Sequence, residues 1–230
     1  MLKAKEVYDG SHQMTANNNR PAEKYDIVIL GSGAGAKLSA WTFAKQGQRV
    51  AVVERKYIGG ACPNIACLPS KNIIHTAQVS SYVHRLGEFG LSASDVAVHM
   101  SGVRERKRKL VHAEIEGHLN LFHLSGAELI LGSGRFVGPK RIEVLTNEGQ
   151  VRVLEGDKIL IGTGSRASID DTPGLREAEP LTHVEALELD VVPKHLLILG
   201  AGYVGLEFAQ AMRRFGSKVT LIHHGDRLLK

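Results

Sequence analysis

The sequence predicts an α/β protein made of two Rossmann-like, dinucleotide-binding units, the second of them incomplete. Three observations carry this. Two short apolar runs, YDIVIL (25–30) and HLLILG (195–200), each lead into a glycine-rich turn. Each turn is followed by a stretch of helical pattern and then by a second apolar run, the βαβ order of a mononucleotide-binding half. The chain holds 25 glycines and only 5% aromatic residues, a balance that suits tight strand-to-helix turns and close backbone approach.

The elements follow in order. Residues 1–23 are polar, carry Asn17-Asn18-Asn19 and lack an apolar leader core. They are expected to form a flexible tail, with Met14 as an alternative start. The first unit is expected over 24–166. Its buried strand at 25–30 is followed by a helix over 33–46, closed by Gly47, and by a second buried strand at 49–54. A cysteine-bearing segment comes next, then helical patterns over 71–86 and 103–124. Strands are predicted at 127–137 and 141–146, and 151–165 reads as a hairpin-like pair ending in a buried strand at 158–161. Asp170-Asp171, Pro173-Gly174 and Pro180 mark a linker within 167–192. The second unit, 193–230, has a strand at 195–200, a helix to Phe215 and a strand at 218–222. A doubly wound half needs three strands, so the sequence is expected to end inside a domain.

Composition excludes several classes. A net charge of +5 with no recognisable motif argues against a nucleic-acid partner. The dense basic run at 104–109 leads into apolar residues at helical spacing and reads as the solvated face of a helix. No run of about 18 apolar residues exists, so no membrane span is expected. Two cysteines make no disulfide framework, which points to a cytoplasmic protein.

The first glycine turn is Gly31-Ser32-Gly33-Ala34-Gly35-Ala36. Gly31 permits the tight turn, Gly33 lets backbone approach a pyrophosphate, and Ala36 is small enough for close helix–strand packing. The helix start then offers free N–H groups and a positive dipole end. Glu54, with Arg55 beside it, ends the second strand where a carboxylate accepts from ribose hydroxyls. The second turn is Gly200-Ala201-Gly202-Tyr203-Val204-Gly205. At the offset of Glu54 it carries His223, followed by His224, Arg227 and Lys230. Basic groups there favour a ribose phosphate, hence NADPH over NADH; the alternative is that they are exposed loop residues. Two motifs imply two dinucleotides. With FAD on the first and a nicotinamide nucleotide on the second, a hydride path follows.

Cys62 and Cys67 are separated by four residues. Zinc needs about four ligands, and no matching Cys or His pair stands at zinc spacing, so no metal site is expected. A buried structural pair and a redox pair both remain open on spacing. The redox reading gains from the short loop, which opens and closes without unfolding. If Gly59-Gly60 leads into a helix, both thiols sit at its amino-terminal end, where a thiolate is stabilised.

The segment GGACPNIACLPSK (59–71) resembles the signature G-G-T-C-x-N-x-G-C-x-P-S-K of the pyridine nucleotide–disulfide oxidoreductases, which include dihydrolipoamide dehydrogenase, glutathione reductase and mercuric reductase. The resemblance runs from about Tyr25 onward. It takes in ILIGTGS (159–165), like the family's second FAD-contacting motif, and GAGYVGLEFA, like its nicotinamide motif. It implies FAD and NADPH or NADH as cofactors, and contacts to them from Gly60, Ala61, Thr163 and Gly164. It implies that Cys62 attacks substrate and that Cys67 lies against the flavin. Lys71 would sit near the flavin's reactive nitrogen and pair with Glu207, and Tyr203 would cover the nicotinamide pocket. A small disulfide, dithiol or metal-ion substrate and a homodimer of the full-length enzyme are implied as well.

Departures qualify this. Ala61 stands for the usual threonine and Ala66 for the usual glycine, with no reacting group lost. Ala34 and Trp41 occupy positions where glutathione reductases carry a serine and an arginine, which argues against glutathione. The family's acid/base histidine lies in a C-terminal dimerisation domain, and none of the eleven histidines here matches it, so no general base is nominated. The alternatives are a non-catalytic flavin-binding fragment, part of a split enzyme, or a redox sensor.

Overall fold

The computed structural model describes residues 20–229; most of the predicted tail, 1–19, and Lys230 lie outside them. The first unit is built on five strands. β1 (Glu23–Leu30), β2 (Val50–Glu54) and the start of β3 (Glu128–Gly138) run parallel, and β5 (Val151–Ile161) adds in parallel to the other edge of β1. β3 and β5 are eleven residues each, too long for the parallel sheet alone. Their remaining halves pair antiparallel with β4 (Arg141–Thr146), and the ring closes. Glycines let β3 change partners: a Cβ on Gly132 would lie 2.4 Å from the Leu145 carbonyl oxygen.

Residues 151–161 are therefore one strand and not the hairpin-like pair predicted. Gly156 does not turn the chain. A Cβ there would meet Val28 N at 3.1 Å, so its smallness serves close approach to β1.

Alternation along β1 divides the core. Val28 and Leu30 point into the ring, onto Ile142, Val144 and Leu154. Ile27 and Ile29 point outward under α1 (Ala34–Lys45) and α4 (Met100–Ser125), onto Ala36, Ala40 and Phe122. This is the period of two expected of a strand buried on both faces. The Rossmann-like α/β fold expected from the sequence is observed.

A third core gathers α3 (Cys67–Val83), α4 and α6 (Tyr203–Arg214) around Ile73, Ala77, Met100, Val103, Met212 and Phe215. It ties the second unit to the first. The second unit's strands, β6 (His195–Leu199) and β7 (Lys218–Ile222), pair in parallel. Between the units lies one short helix, α5 (His183–Ala186), started by a Thr182–Glu185 capping box.

The basic run of α4 is not simply a solvated face. Lys107 is buried and pairs with Glu188, Arg108 pairs with the same carboxylate at 2.7 Å, and Arg104 reaches Asp190 at 3.2 Å. Local helical spacing hid this because the partners lie some eighty residues away. Among the described residues no helix is long and apolar enough to cross a membrane.

Candidate active site at the paired cysteines

The first turn packs three backbone segments against one another. Gly31 N–H donates to Val53 O at 2.7 Å, and Gly162 N–H donates to Leu30 O at 2.8 Å. A Cβ on Gly31, where φ is +91°, would stand 2.2 Å from Gly162 O. A Cβ on Gly60, where φ is +84°, would stand 2.4 Å from Gly33 Cα. Only glycine allows these approaches. Gly33 caps α1 without a side-chain hydrogen bond, so the N–H groups of the first turn lie open beside exposed Ala34 and Gly35, while Ala36 is buried against the sheet. No heavy atom lies within 4 Å of a Cβ placed on Gly35. Thr163 and exposed Gly164, at φ +68°, follow on the neighbouring loop. This cradle fits the pyrophosphate of a dinucleotide.

Glu54 is more engaged than its sequence position implied. It is buried; one oxygen accepts from Ser32 N–H at 2.9 Å and Ser32 Oγ–H at 2.6 Å, the other from Lys56 N–H at 2.7 Å and Tyr57 N–H at 2.9 Å. All four lone-pair directions are occupied. A ribose hydroxyl needs one of them. Ser32 Oγ also lies 3.2 Å from Tyr57 O, so its proton has a second acceptor to turn to. Arg55 is exposed beside this loop.

The cysteines do not share one helix, as the sequence reading supposed. Cys62 lies in α2 (Ala61–Ile65), which starts after Gly60. The chain breaks at Ala66, and Cys67 opens α3. Asn64 stabilises the short helix by donating to Ile58 O at 2.8 Å and Gly60 O at 2.7 Å. Both thiols are free and exposed. A side-chain hydrogen bond to Cys67, burial and the charge of Cys67 push the Cys62 thiol up; Lys37 and the Cys67 backbone N–H oppose them.

One turn along α3, Lys71 Nζ meets Glu207 Oε1 of α6 at 2.6 Å, across 136 residues of sequence. The second glycine turn stands before α6, capped by Gly202 with no side-chain bond. A Cβ on Gly205 would lie 2.4 Å from Gly200 O, while Gly202 has open space. Tyr203 is 73% exposed and Val204 is exposed beside it. The rings of His223 and His224 lie 4.9 Å apart after β7, tilted by 50°, and His223 Nε2 lies 3.1 Å from Arg227 O. The structure thus brings Cys62, Cys67, Lys71 and Glu207 into one region, with one glycine turn on either side.

Three residues were not found from the sequence. Ser32 sits inside the first motif and was legible only as a spacer. Lys37 and His118 meet across α1 and α4, 81 positions apart, with no local signal.

A family model described as pyridine nucleotide-disulphide oxidoreductase matches residues 25–230. The chain belongs to this family. It is 34% identical to a mercuric reductase of Bacillus cereus over 99% of the chain and 36% of that protein. It is 33% identical to a dihydrolipoyl dehydrogenase of Bacillus subtilis (strain 168) over 90% of the chain and 46% of that protein. The HOCl-induced flavoprotein disulfide reductase RclA of Escherichia coli, solved as a Cu(II) complex, superposes with a TM-score of 0.75 at 31% identity, covering 90% of the chain and 44% of its own. The chain therefore spans less than half the length of these relatives.

Proposed function

We propose that this chain supplies the flavin and redox-cysteine portion of an NAD(P)H-linked flavoprotein disulfide oxidoreductase. The observation that carries the reading is the Cys62–Cys67 pair, which stands between an open dinucleotide cradle at Gly31–Gly33–Gly60 and the Lys71–Glu207 contact with the second unit. Bound FAD would supply two-electron transfer between a nicotinamide nucleotide and the cysteine pair. Gly33, Ala34 and Gly35 would hold its pyrophosphate, and Glu54 a ribose hydroxyl. Lys71 contributes positive charge and Glu207 holds it in place. Gly202, Tyr203 and Val204 would receive the nucleotide, with His223 and His224 favouring NADPH.

In the reduced pair, Cys62 attacks a substrate disulfide and forms a mixed disulfide as one thiolate leaves. Cys67 then attacks the Cys62 sulfur, releases the second thiol, and closes the Cys62–Cys67 bond. Two electrons pass from the dithiol to the substrate, and the reverse direction uses the same groups. A metal ion bound by the two thiolates is the other substrate class, and a homodimer is the expected assembly of the longer enzyme.

The test is an anaerobic titration of the FAD-reconstituted chain with NADPH and with NADH, followed by visible absorbance. A long-wavelength shoulder on reduction is expected, with NADPH more effective. Cys67→Ser should lose the shoulder and keep bound FAD, and Cys62→Ser should show it without reduction. Identical spectra from the two variants would reverse this reading.

A further inference from the structure

The four donors on Glu54 differ in their freedom to move. Oε1 accepts from the backbone N–H groups of Lys56 and Tyr57, and Oε2 from the backbone N–H of Ser32. These three are fixed by the glycine turn and by the loop after β2. The fourth is the Ser32 hydroxyl, at 2.6 Å from Oε2, and it turns about a single bond. Ser32 is fully buried, so its hydroxyl must find its partners within the protein. Oγ accepts from Gly59 N–H at 3.0 Å, and its one proton has two acceptors in reach, Glu54 Oε2 and Tyr57 O at 3.2 Å. The loop that carries Tyr57 O is itself pinned. Gly60 N–H donates to Tyr57 O at 2.7 Å, and Lys37 Nζ lies 3.3 Å from Gly59 O. A Cβ on Gly59 would come within 2.7 Å of the buried His118 ring. The second acceptor is thus held in place beside the first.

We infer that the Ser32 hydroxyl competes with a ribose hydroxyl for Glu54 Oε2 and yields by turning its proton to Tyr57 O. The inference rests on Glu54 taking a ribose hydroxyl, as in the reading above. The three N–H donors cannot yield in this way, because moving any of them moves backbone that packs the turn or the loop. The exchange leaves no buried polar group without a partner. The ribose O–H takes the place of the Ser32 O–H on Oε2. Tyr57 O has a second lone pair beyond the one used by Gly60 N–H, and Gly59 N–H keeps its bond to Oγ. What the exchange costs is the difference between a short bond to a carboxylate and a longer one to a neutral carbonyl. Ser32 therefore lowers the affinity for the dinucleotide from beneath the site. It is a positioning residue, acting on the ligand only through Glu54, and it keeps the loop that leads to α2 and Cys62 tied in both arrangements.

The experiment measures FAD affinity of the full chain by flavin fluorescence, with thermal melts recorded without FAD. Ser32→Ala should lower the FAD-free melting temperature by about 4 °C, because Gly59 N–H loses its acceptor and Glu54 a donor. The same variant should bind FAD about fivefold more tightly, because the ribose hydroxyl meets an open lone pair. A residue that merely supports the turn would weaken FAD binding as it lowers stability. Ser32→Thr keeps the hydroxyl but crowds a buried site, so it should lower stability without tightening FAD. Glu54→Gln should weaken FAD about tenfold. Unchanged or weaker FAD binding in Ser32→Ala, with Glu54→Gln still weakened, overturns the inference and leaves the ribose assignment standing. Tightening in Ser32→Thr also overturns it, since the hydroxyl is still there. Unchanged FAD binding in Glu54→Gln removes the ribose assignment and the role of Ser32 with it.

Discussion

Gly31 and Gly35 lie four residues apart and carry opposite constraints. At Gly31 the backbone is left-handed and Gly162 O occupies the place of a Cβ; at Gly35 the space is empty. Gly31→Ala combines strain with a backbone clash and is expected to lower stability by about 2–4 kcal/mol. Gly35→Ala should leave stability within about 1 kcal/mol, on the stabilising side, since alanine is the better helix former. Thermal melts of the two variants check this, and equal losses would mean the turn is not packed as described. Glu54 carries a related lesson. The carboxylate that the motif assigns to ribose is already bonded by Ser32, Lys56 and Tyr57. Its position was legible, but its four donors were not, because two of them belong to the loop after β2.

At the scale of elements, α4 does the most joining. Its Lys107 side chain is 3% exposed, and its ion pair reaches Glu188 beyond α5. Burial pushes Lys107 down and Glu188 holds it up. Removing Glu188 leaves a buried ammonium beside Arg104 and Arg108. Glu188→Ala should therefore cost about 2–3 kcal/mol in chemical denaturation, somewhat less than a fully buried pair because Glu188 itself is half-exposed. Lys107→Met with Glu188→Ala should recover most of the loss, since an apolar side chain fills the site without an unpaired charge. Two single losses that simply add would show that the groups do not interact. The long strands β3 and β5 act similarly on the sheet side. β3 pairs with β2 over 128–131 and with β4 beyond, and β5 pairs with β1 over 154–161 and with β4 over 151–155, a continuous strand that a strand-by-strand reading of 151–165 divided in two.

Across the whole molecule, the pH dependence of stability has a component assignable to His118. Its folded value lies below that of the free imidazole, about 6.5, so the unfolded chain binds a proton first as pH falls. Stability should therefore decline as pH drops below about 6.5, by at most about 1.4 kcal/mol per unit from this group. Carboxylates held low in the folded state, Glu23 by Arg152 and Glu188 by Lys107 and Arg108, extend the decline below about pH 4.5. His118→Phe should flatten the upper part of that acid limb and leave the lower part. Equilibrium unfolding at pH 7.5, 6 and 5 distinguishes the two.

The sequence by itself determined both glycine turns, the βαβ order on either side, the buried strands β1 and β2 and the cysteine segment, whereas the stretch 158–161, also expected to be buried, ends in an Ile161 that is 68% exposed. These are local: strand period, helix period and the steric demands of glycine act within a few residues. Tertiary structure decided what joins them. It closed the five-strand ring, broke the helix between Cys62 and Cys67, buried Lys107 under Glu188, and brought Lys37 and His118 together against Gly59. The Lys71–Glu207 contact came into view from sequence only through family resemblance. Such pairs are selected by packing between helices far apart in the chain, and a charged or aromatic side chain carries no local mark of the partner that packing will bring to it.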